Sequence, residues 1–368
     1  MKSFKIILIL ALIIFSFTLI RGFVHSETDP QDIPLEGDPR CLAINPLTNQ
    51  AIVASTRPNE ISIVDLATQT VITTLRVGRR PLGVAIDPEL NYGLAISRRD
   101  HKLSVIDLNT YEVIATIPVG RSPEGIAVGK VNGTFHIALI TNCHDDSVSV
   151  VDLGTLSLIR TIDVGRRPRD VPGGKWNIHR KHFWMMDEGG SPREVAIDSD
   201  LGMALVVNER SRNVSVIDLT TYEVIGSVRV GREPRAISIN PETHLAVVTD
   251  SRSDSITIIN LQNWQTTSLH VEDHPIDVAV NPLDNSALVL CDRDRSLLLV
   301  DLNTNTVIES YTLNKRARGV AVNNFTNIAG VIDDRTDSLT LYQLPNPIPE
   351  IASISPGTLF VGPERRRL

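Results

Sequence analysis

Short apolar runs of four to six residues, built mainly from Val and Ile, alternate with polar clusters along nearly the whole chain. No stretch sustains the apolar period of an amphipathic helix, and each run is bounded by Gly, Pro, Asn, Asp or Ser, the residues of turns. In VGRRPLGVAIDPELNYGLAISRRDHKLSVIDLNTYEVIATIPVG (residues 77–120), the pattern predicts four consecutive strands, a to d: Gly83–Ile86, Gly93–Ser97, Leu103–Asp107 and Val113–Pro118. Between a and b stands Asp87-Pro88; other copies have Asn45-Pro46, Asn240-Pro241 and Asn281-Pro282 at that place, a turn signal.

The pattern returns seven times. The residue closing its "SVIDL" phrase is Asp65, Asp107, Asp152, Asp218, Asn260, Asp301 and, in degenerate form, Gln343, at steps of 42, 45, 66, 42, 41 and 42. The long step is one repeat plus a 24-residue insertion. Four short strands in each repeat of this length predict a propeller blade. The fold class is therefore all-β: a seven-bladed β-propeller of four-stranded blades over residues 27–345, interrupted at 166–189. Asp32-Ile33-Pro34-Leu35 matches the d phrase Thr116-Ile117-Pro118-Val119, and the last copy has strands a, b and c but no d. The N-terminal strand is expected to complete the last blade and close the ring, leaving no long unpaired inner edge.

These seven copies resemble the YVTN family of β-propellers, over roughly residues 32 to 344. The resemblance implies the fold strongly. Known relatives are mostly exported, and many serve surface or binding roles. Propellers of similar build also include lactonases and metal or quinone enzymes, so fold alone does not choose an activity. The last 23 residues, NPIPEIASISPGTLFVGPERRRL (346–368), resemble the opening strand of an IPT/TIG domain but are far too short for one.

The N-terminus is a separate element. Lys2 and Lys5 precede the apolar stretch Ile6 to Ile20, then come Arg21 and Val24-His25-Ser26, the layout of a secretory signal over residues 1–26. Residues 6–20 are short for a bilayer span, so a cleaved signal is favoured over an uncleaved membrane tether. Either outcome places the protein outside the cytoplasm, secreted or periplasmic. Net charge is −7, which argues against nucleic acid as a partner. The odd set Cys41, Cys143 and Cys291 forms no disulfide framework, and without C-x-x-C-H there is no covalent haem; these read as small buried side chains. No nucleophile elbow, P-loop, zinc-protease helix or dinucleotide fingerprint appears, and no cofactor is expected.

The repeated Asp of the closing phrase is followed three residues later by Thr in five copies, which suits a capped c–d turn better than catalysis. A sharper signal lies eight residues before that position: Arg57, Arg99, His144, Arg210, Arg252, Arg293 and Arg335. Because strands alternate in direction, these b–c turns share a face with the d–a loops, which add Arg79, Arg80, Arg121, Arg166, Arg167, Arg232, Lys315 and Arg316. Guanidinium groups so arranged would attract carboxylates, phosphates or sulfates, yet acids such as Asp100, Asp145, Glu209 and Asp292 in the same loops could pair with them instead. The insertion lies on the same face and holds Trp176, Trp184, His179 and His182. Trp and Arg commonly anchor interfaces; the His-x-x-His pair is a weak metal candidate. Two functions follow: a non-catalytic monomeric binding platform for an anionic ligand or an unknown acidic protein, or a lactonase-like or metal-dependent hydrolase with its site at the channel mouth.

Overall fold

The computed structural model describes residues 31–164, 191–313 and 316–345. Seven four-stranded antiparallel sheets follow one another along the chain, with no helix among the described residues. In blade 2 the strands are Pro81–Asp87, Tyr92–Ser97, Lys102–Asp107 and Glu112–Pro118, paired in that order. They begin one or two residues earlier than the apolar runs, because the polar starting residues pair although they add no apolar signal. Pro81 is tolerated as the first residue of its strand, where its missing N–H removes no essential ladder bond.

Strand a of every blade packs against strand a of the next, and the last returns to the first, so the strands surround a central channel. The seventh blade is composite. Its strands Ala317–Asn323, Ile328–Asp333 and Ser338–Gln343 are joined by Gln31–Pro34, with Ile33 opposite Leu339 and Gln31 opposite Leu341. The Leu35 N–H donates to the Asp337 carbonyl at 2.7 Å, and Ile33 is buried to 2 % exposure. The expected closure is therefore present.

The core lies between blades. Strands b and c bury both faces: Ile52, Ala54, Ile61 and Ile63 of blade 1 pack on Val84, Ala95, Ile106 and Leu108 of blade 2. At the closure, Ile33, Ile332 and Leu339 pack on Leu42, Val53 and Val64 of blade 1. Strand d lies on the rim, with alternating residues open to solvent, as in Glu223–Arg229.

Side chains finish the turns and join the blades. Asp65 accepts the Ala67 and Thr68 N–H groups at 2.8 and 3.1 Å; Asp152, Asp218 and Asp301 cap their turns in the same manner. On the face bearing the a–b turns, the residue ending strand a reaches the next blade. Asn45 donates to Asn91 (2.9 Å), Asn240 to Asn285 (2.7 Å), Asn281 to Asn327 (3.1 Å) and Asn323 to Asn49 (2.8 Å). Asp87 and Asp198 meet His136 and His244 at 2.6 and 2.8 Å. These buried amide and carboxylate groups are satisfied by one another, as burial requires.

Candidate functional site

The opposite face carries the b–c turns and d–a loops. Arg57, Arg99, His144, Arg210, Arg252, Arg293 and Arg335 occupy equivalent places there, each the second residue after strand b, and all are exposed. Arg252 pairs with Glu233 at 3.1 Å and Arg293 with Asp273 at 3.3 Å. Arg57, Arg99, Arg210 and Arg335 make no ion pair among the described residues.

Of the d–a arginines, Arg80 and Arg232 are likewise exposed with no ion pair among the described residues, and three others are paired. Arg79 reaches Asp100 at 2.7 Å and Arg121 reaches Asp145 at 2.6 Å, and in both cases the arginine backbone N–H donates to the same carboxylate. The Arg79 backbone and side-chain donors hold Asp100 below the usual carboxylate range. Arg316 makes a two-pronged contact with Asp292, at 2.7 and 3.0 Å. Arg79 and Arg121 clamp their loops to the blade that follows and Arg316 clamps its loop to the blade before it, the pairing alternative raised by the acids in the same loops. Arg166, Arg167 and Lys315 lie outside the described residues.

A second ring was not legible in the repeat. At the start of strand a every blade shifts register, between Pro39 and Cys41 in blade 1 and at the matching place in the others. Such a bulge re-aims a side chain. It places Arg40, Glu124, Arg193, Arg235 and Arg318 at this end of the ring's innermost strands, where they pair. Arg193 bridges Glu124 and Glu209 at 2.5 and 2.6 Å; Arg98 joins Glu124 at 2.8 Å. Arg40 and Arg318 share Asp334 at 3.2 and 2.5 Å. Period-two alternation does not register a bulge, so these residues read as loop charges; the charged residue following Pro was the available signal for all but Arg318, which follows Ala317.

One step further along strand a, Cys41, Glu194 and Asp277 stand where blades 2, 3 and 7 have Gly83, Gly125 and Gly319. A Cβ on Gly125 would come within 2.7 Å of the Glu194 carboxylate, so that glycine makes room for it. Glu194 accepts the Val195 and Ile126 N–H groups, while Asp277 accepts those of Val278 and Val320 at 2.9 Å each. Burial, and then repulsion from Asp277, pushes Glu194 up to about 8; burial raises Asp277 to about 6. Burial likewise raises the Cys41 thiol to about 12, so it is no ready nucleophile. All three cysteines are free; Cys291 is fully buried, whereas Cys41 and Cys143 are only partly buried.

Trp176, Trp184, His179 and His182 lie outside the described residues, as do the leader at 1–26 and the tail at 346–368. The residues flanking the insertion are described: Val164 donates its N–H to the Asp146 carbonyl and Ser191 donates its own to the Asp146 carboxylate, at 2.8 and 3.0 Å. One residue thus holds both flanks. Among the described residues no group of three or more His, Cys, Asp or Glu side chains could hold a metal ion.

No family model matches this sequence, and no curated protein does. Among solved structures, 1633 chains match, so the fold is too widely used to select an activity. One is Kuenenia stuttgartiensis hydrazine synthase, with a TM-score of 0.69 and 16 % identity over 88 % of this chain and 99 % of that one. At that identity the likeness establishes the seven-bladed propeller fold and nothing about chemistry.

Proposed function

We propose that this is an exported, non-catalytic β-propeller of the YVTN type whose arginine-bearing face binds an anionic ligand or an acidic protein surface. The observation that carries the reading is the split within the arginines. Arg79, Arg121 and Arg316 of the d–a loops and the arginines of the bulge are paired with acids of the fold, whereas Arg57, Arg99, Arg210 and Arg335, joined by Arg80 and Arg232 of the d–a loops, are exposed and have no ion pair among the described residues. Stability gives no reason for four such side chains at one repeat position, and guanidinium groups bind carboxylate, phosphate and sulfate well. The insertion supports the same face, since Asp146 holds the residues on both sides of it and the ring closes without it.

The test is retention on immobilised polyglutamate across a salt series, comparing the parent with a fourfold variant (Arg57→Ser, Arg99→Ser, Arg210→Ser, Arg335→Ser). Exposed charge contacts are screened over about 10 Å at 0.1 M salt. Retention should therefore fall with salt and be lost in the variant; equal retention by both proteins, or retention indifferent to salt, would sink the proposal. A second reading, a lactonase-like hydrolase, draws on Glu194 and Asp277 inside the ring. It requires that Glu194→Gln abolish a hydrolytic activity of the parent, although both carboxylates already cap backbone N–H groups.

A further inference from the structure

The a–b turns carry one further regularity. Two places after the Asn or Asp that ends strand a, the backbone N–H donates to that side chain. Leu47 donates to Asn45 at 3.0 Å, Glu89 to Asp87 at 3.1 Å, Glu242 to Asn240 at 3.0 Å, Leu283 to Asn281 at 3.2 Å and Phe325 to Asn323 at 3.0 Å. What the turn presents at this position differs around the ring. Blades 2, 4 and 5 present the exposed acids Glu89, Asp200 and Glu242. Blades 6, 7 and 1 present Leu283, Phe325 and Leu47, which are 62, 63 and 60 % exposed. A single exposed leucine needs no explanation. These three, however, stand on consecutive blades whose turns are tied, Asn281 to Asn327 and Asn323 to Asn49. They make one apolar arc on the face opposite the arginines, and contiguous exposed apolar surface marks a place of contact.

The chain leaves the described fold in the middle of this arc. Strand Ser338–Gln343 ends on this face, and the residues after it are pinned to the blade 7 turn that carries Phe325. Asn327 Nδ2 donates to the Leu344 and Pro345 carbonyls at 3.3 and 2.7 Å, and Gln343 Nε2 donates to the Asn327 carbonyl at 3.1 Å. Leu344 is 2 % exposed, and its N–H donates to the Asn327 carbonyl at 3.0 Å. The sequence that follows holds Ile348, Ile351, Ile354, Leu359, Phe360 and Val361, and then Arg365-Arg366-Arg367. At about 3.3 Å per extended residue, the chain from Pro345 to Arg365 can span up to about 66 Å. A domain of this size is roughly 50 Å across. The arginines can therefore reach the turns of blades 4 and 5, where Asp200 and Glu242 have no ion pair among the described residues.

We infer that the arc of Leu283, Phe325 and Leu47 is a docking surface for residues 346–368 of the same chain, whose apolar side chains cover it while Arg365, Arg366 and Arg367 engage Asp200 and Glu242. The two match in order as well as in kind. The apolar arc surrounds the point where this segment begins, the acids lie farther round the ring, and in the sequence the apolar residues precede the arginines. Covering the arc takes three large apolar side chains out of water, which is favourable in proportion to the area removed. The assignment does not depend on the arginine face, and the two readings can fail separately.

The experiment uses the full chain with the photo-cross-linker p-benzoylphenylalanine in place of Phe360. Irradiation should give an intramolecular cross-link that mass spectrometry maps to the a–b turns of blades 6, 7 or 1. Its yield should not change on dilution. Leu47→Ser, Leu283→Ser and Phe325→Ser together should cut the yield about fivefold or more. The ring should stay folded in that variant, because none of the three side chains belongs to an interblade core. Arg365→Glu, Arg366→Glu and Arg367→Glu together should cut the yield about twofold or more at low salt. This second variant leaves every described residue as it is, so it tests the assignment independently of how the turn variant folds. Attachment on the arginine face, or a yield that neither variant lowers, would overturn the assignment. So would a cross-linked dimer whose yield rises with concentration, which would give the arc to a second copy of the chain.

Discussion

The two faces of the disc are made from the same seven repeats and join neighbouring blades by different means. On the face of the a–b turns the ties are short and shielded: Asn45, Asn240, Asn281 and Asn323 are 0 to 2 % exposed. On the arginine face the links are no longer, yet the guanidiniums stand in water, with side-chain exposures of 69 % for Arg79 and 70 % for Arg121. A buried amide that loses its partner pays the full desolvation penalty. An exposed ion pair contributes between zero and about 1 kcal/mol, and water or another anion can replace either member. One face is thus fixed, and the other is held by contacts that a ligand could exchange.

The largest change expected is removal of the strand that both faces share. Deleting residues 27–38 takes away Ile33 and Leu35 from the last interblade core and leaves strand Ser338–Gln343 as an open edge. Such an edge invites pairing with other molecules. The shortened protein should melt well below the parent and aggregate; an unchanged melting temperature and solubility would show that the ring does not depend on this closure.

Between the faces, the carboxyl groups inside the ring give a pH dependence that neither surface would. Glu194 has its pKa raised in the folded protein by burial and by Asp277, up to about 8. The folded state therefore holds that proton more tightly than the unfolded chain does. The resulting stabilisation is complete below the ordinary glutamate pKa of about 4.3 and is lost as pH rises through 8. Melting curves from pH 5 to 9 should show the parent falling while Glu194→Gln falls less. Parallel curves would mean that Glu194 is ionised in the folded state throughout.

Much of this architecture could be read from the chain because the repeat reports the same turn chemistry seven times. The strand order, the capping role of Asp65 and its equivalents, and the closing strand at Asp32–Leu35 all followed from residues alone. The b–c arginines were also legible, since they recur at a fixed distance from the closing phrase. The ring of Arg40, Glu124, Arg193, Arg235 and Arg318 was not, because its orientation comes from a bulge that leaves no periodic trace. Nor were Glu194 and Asp277, whose neighbours across the ring are set by blade geometry.

The contrast between the faces is sharpened by single substitutions of similar size. Asn281, 2 % exposed, donates to the buried Asn327 at 3.1 Å and accepts the Leu283 N–H at 3.2 Å. Asn281→Ala removes both bonds and leaves the buried Asn327 amide oxygen without this donor, which should cost about 1–3 kcal/mol in denaturant unfolding. A loss below the scatter of the measurement would mean that water replaces the amide and that this face is less closed than its burial indicates.

The smallest effect is expected on the other face, and its smallness is informative. Arg99 is exposed, has no ion pair among the described residues, and its backbone N–H donates to the Arg79 carbonyl at 3.2 Å. Arg99→Ser keeps that backbone bond, so only the guanidinium is lost. Surface changes of this kind usually fall within about 0.5 kcal/mol of neutral. Arg252, paired with Glu233 at 3.1 Å, provides the internal control: Arg252→Ser leaves Glu233 with Arg235 at 2.8 Å as its remaining cation, so its cost should also stay small. Equal and negligible shifts for both variants in denaturant unfolding would establish that the outer arginines do not stabilise the fold, and that any reason for them lies in what they contact outside it. A marked destabilisation by Arg99→Ser would place that residue in the scaffold and remove it from the proposed binding face.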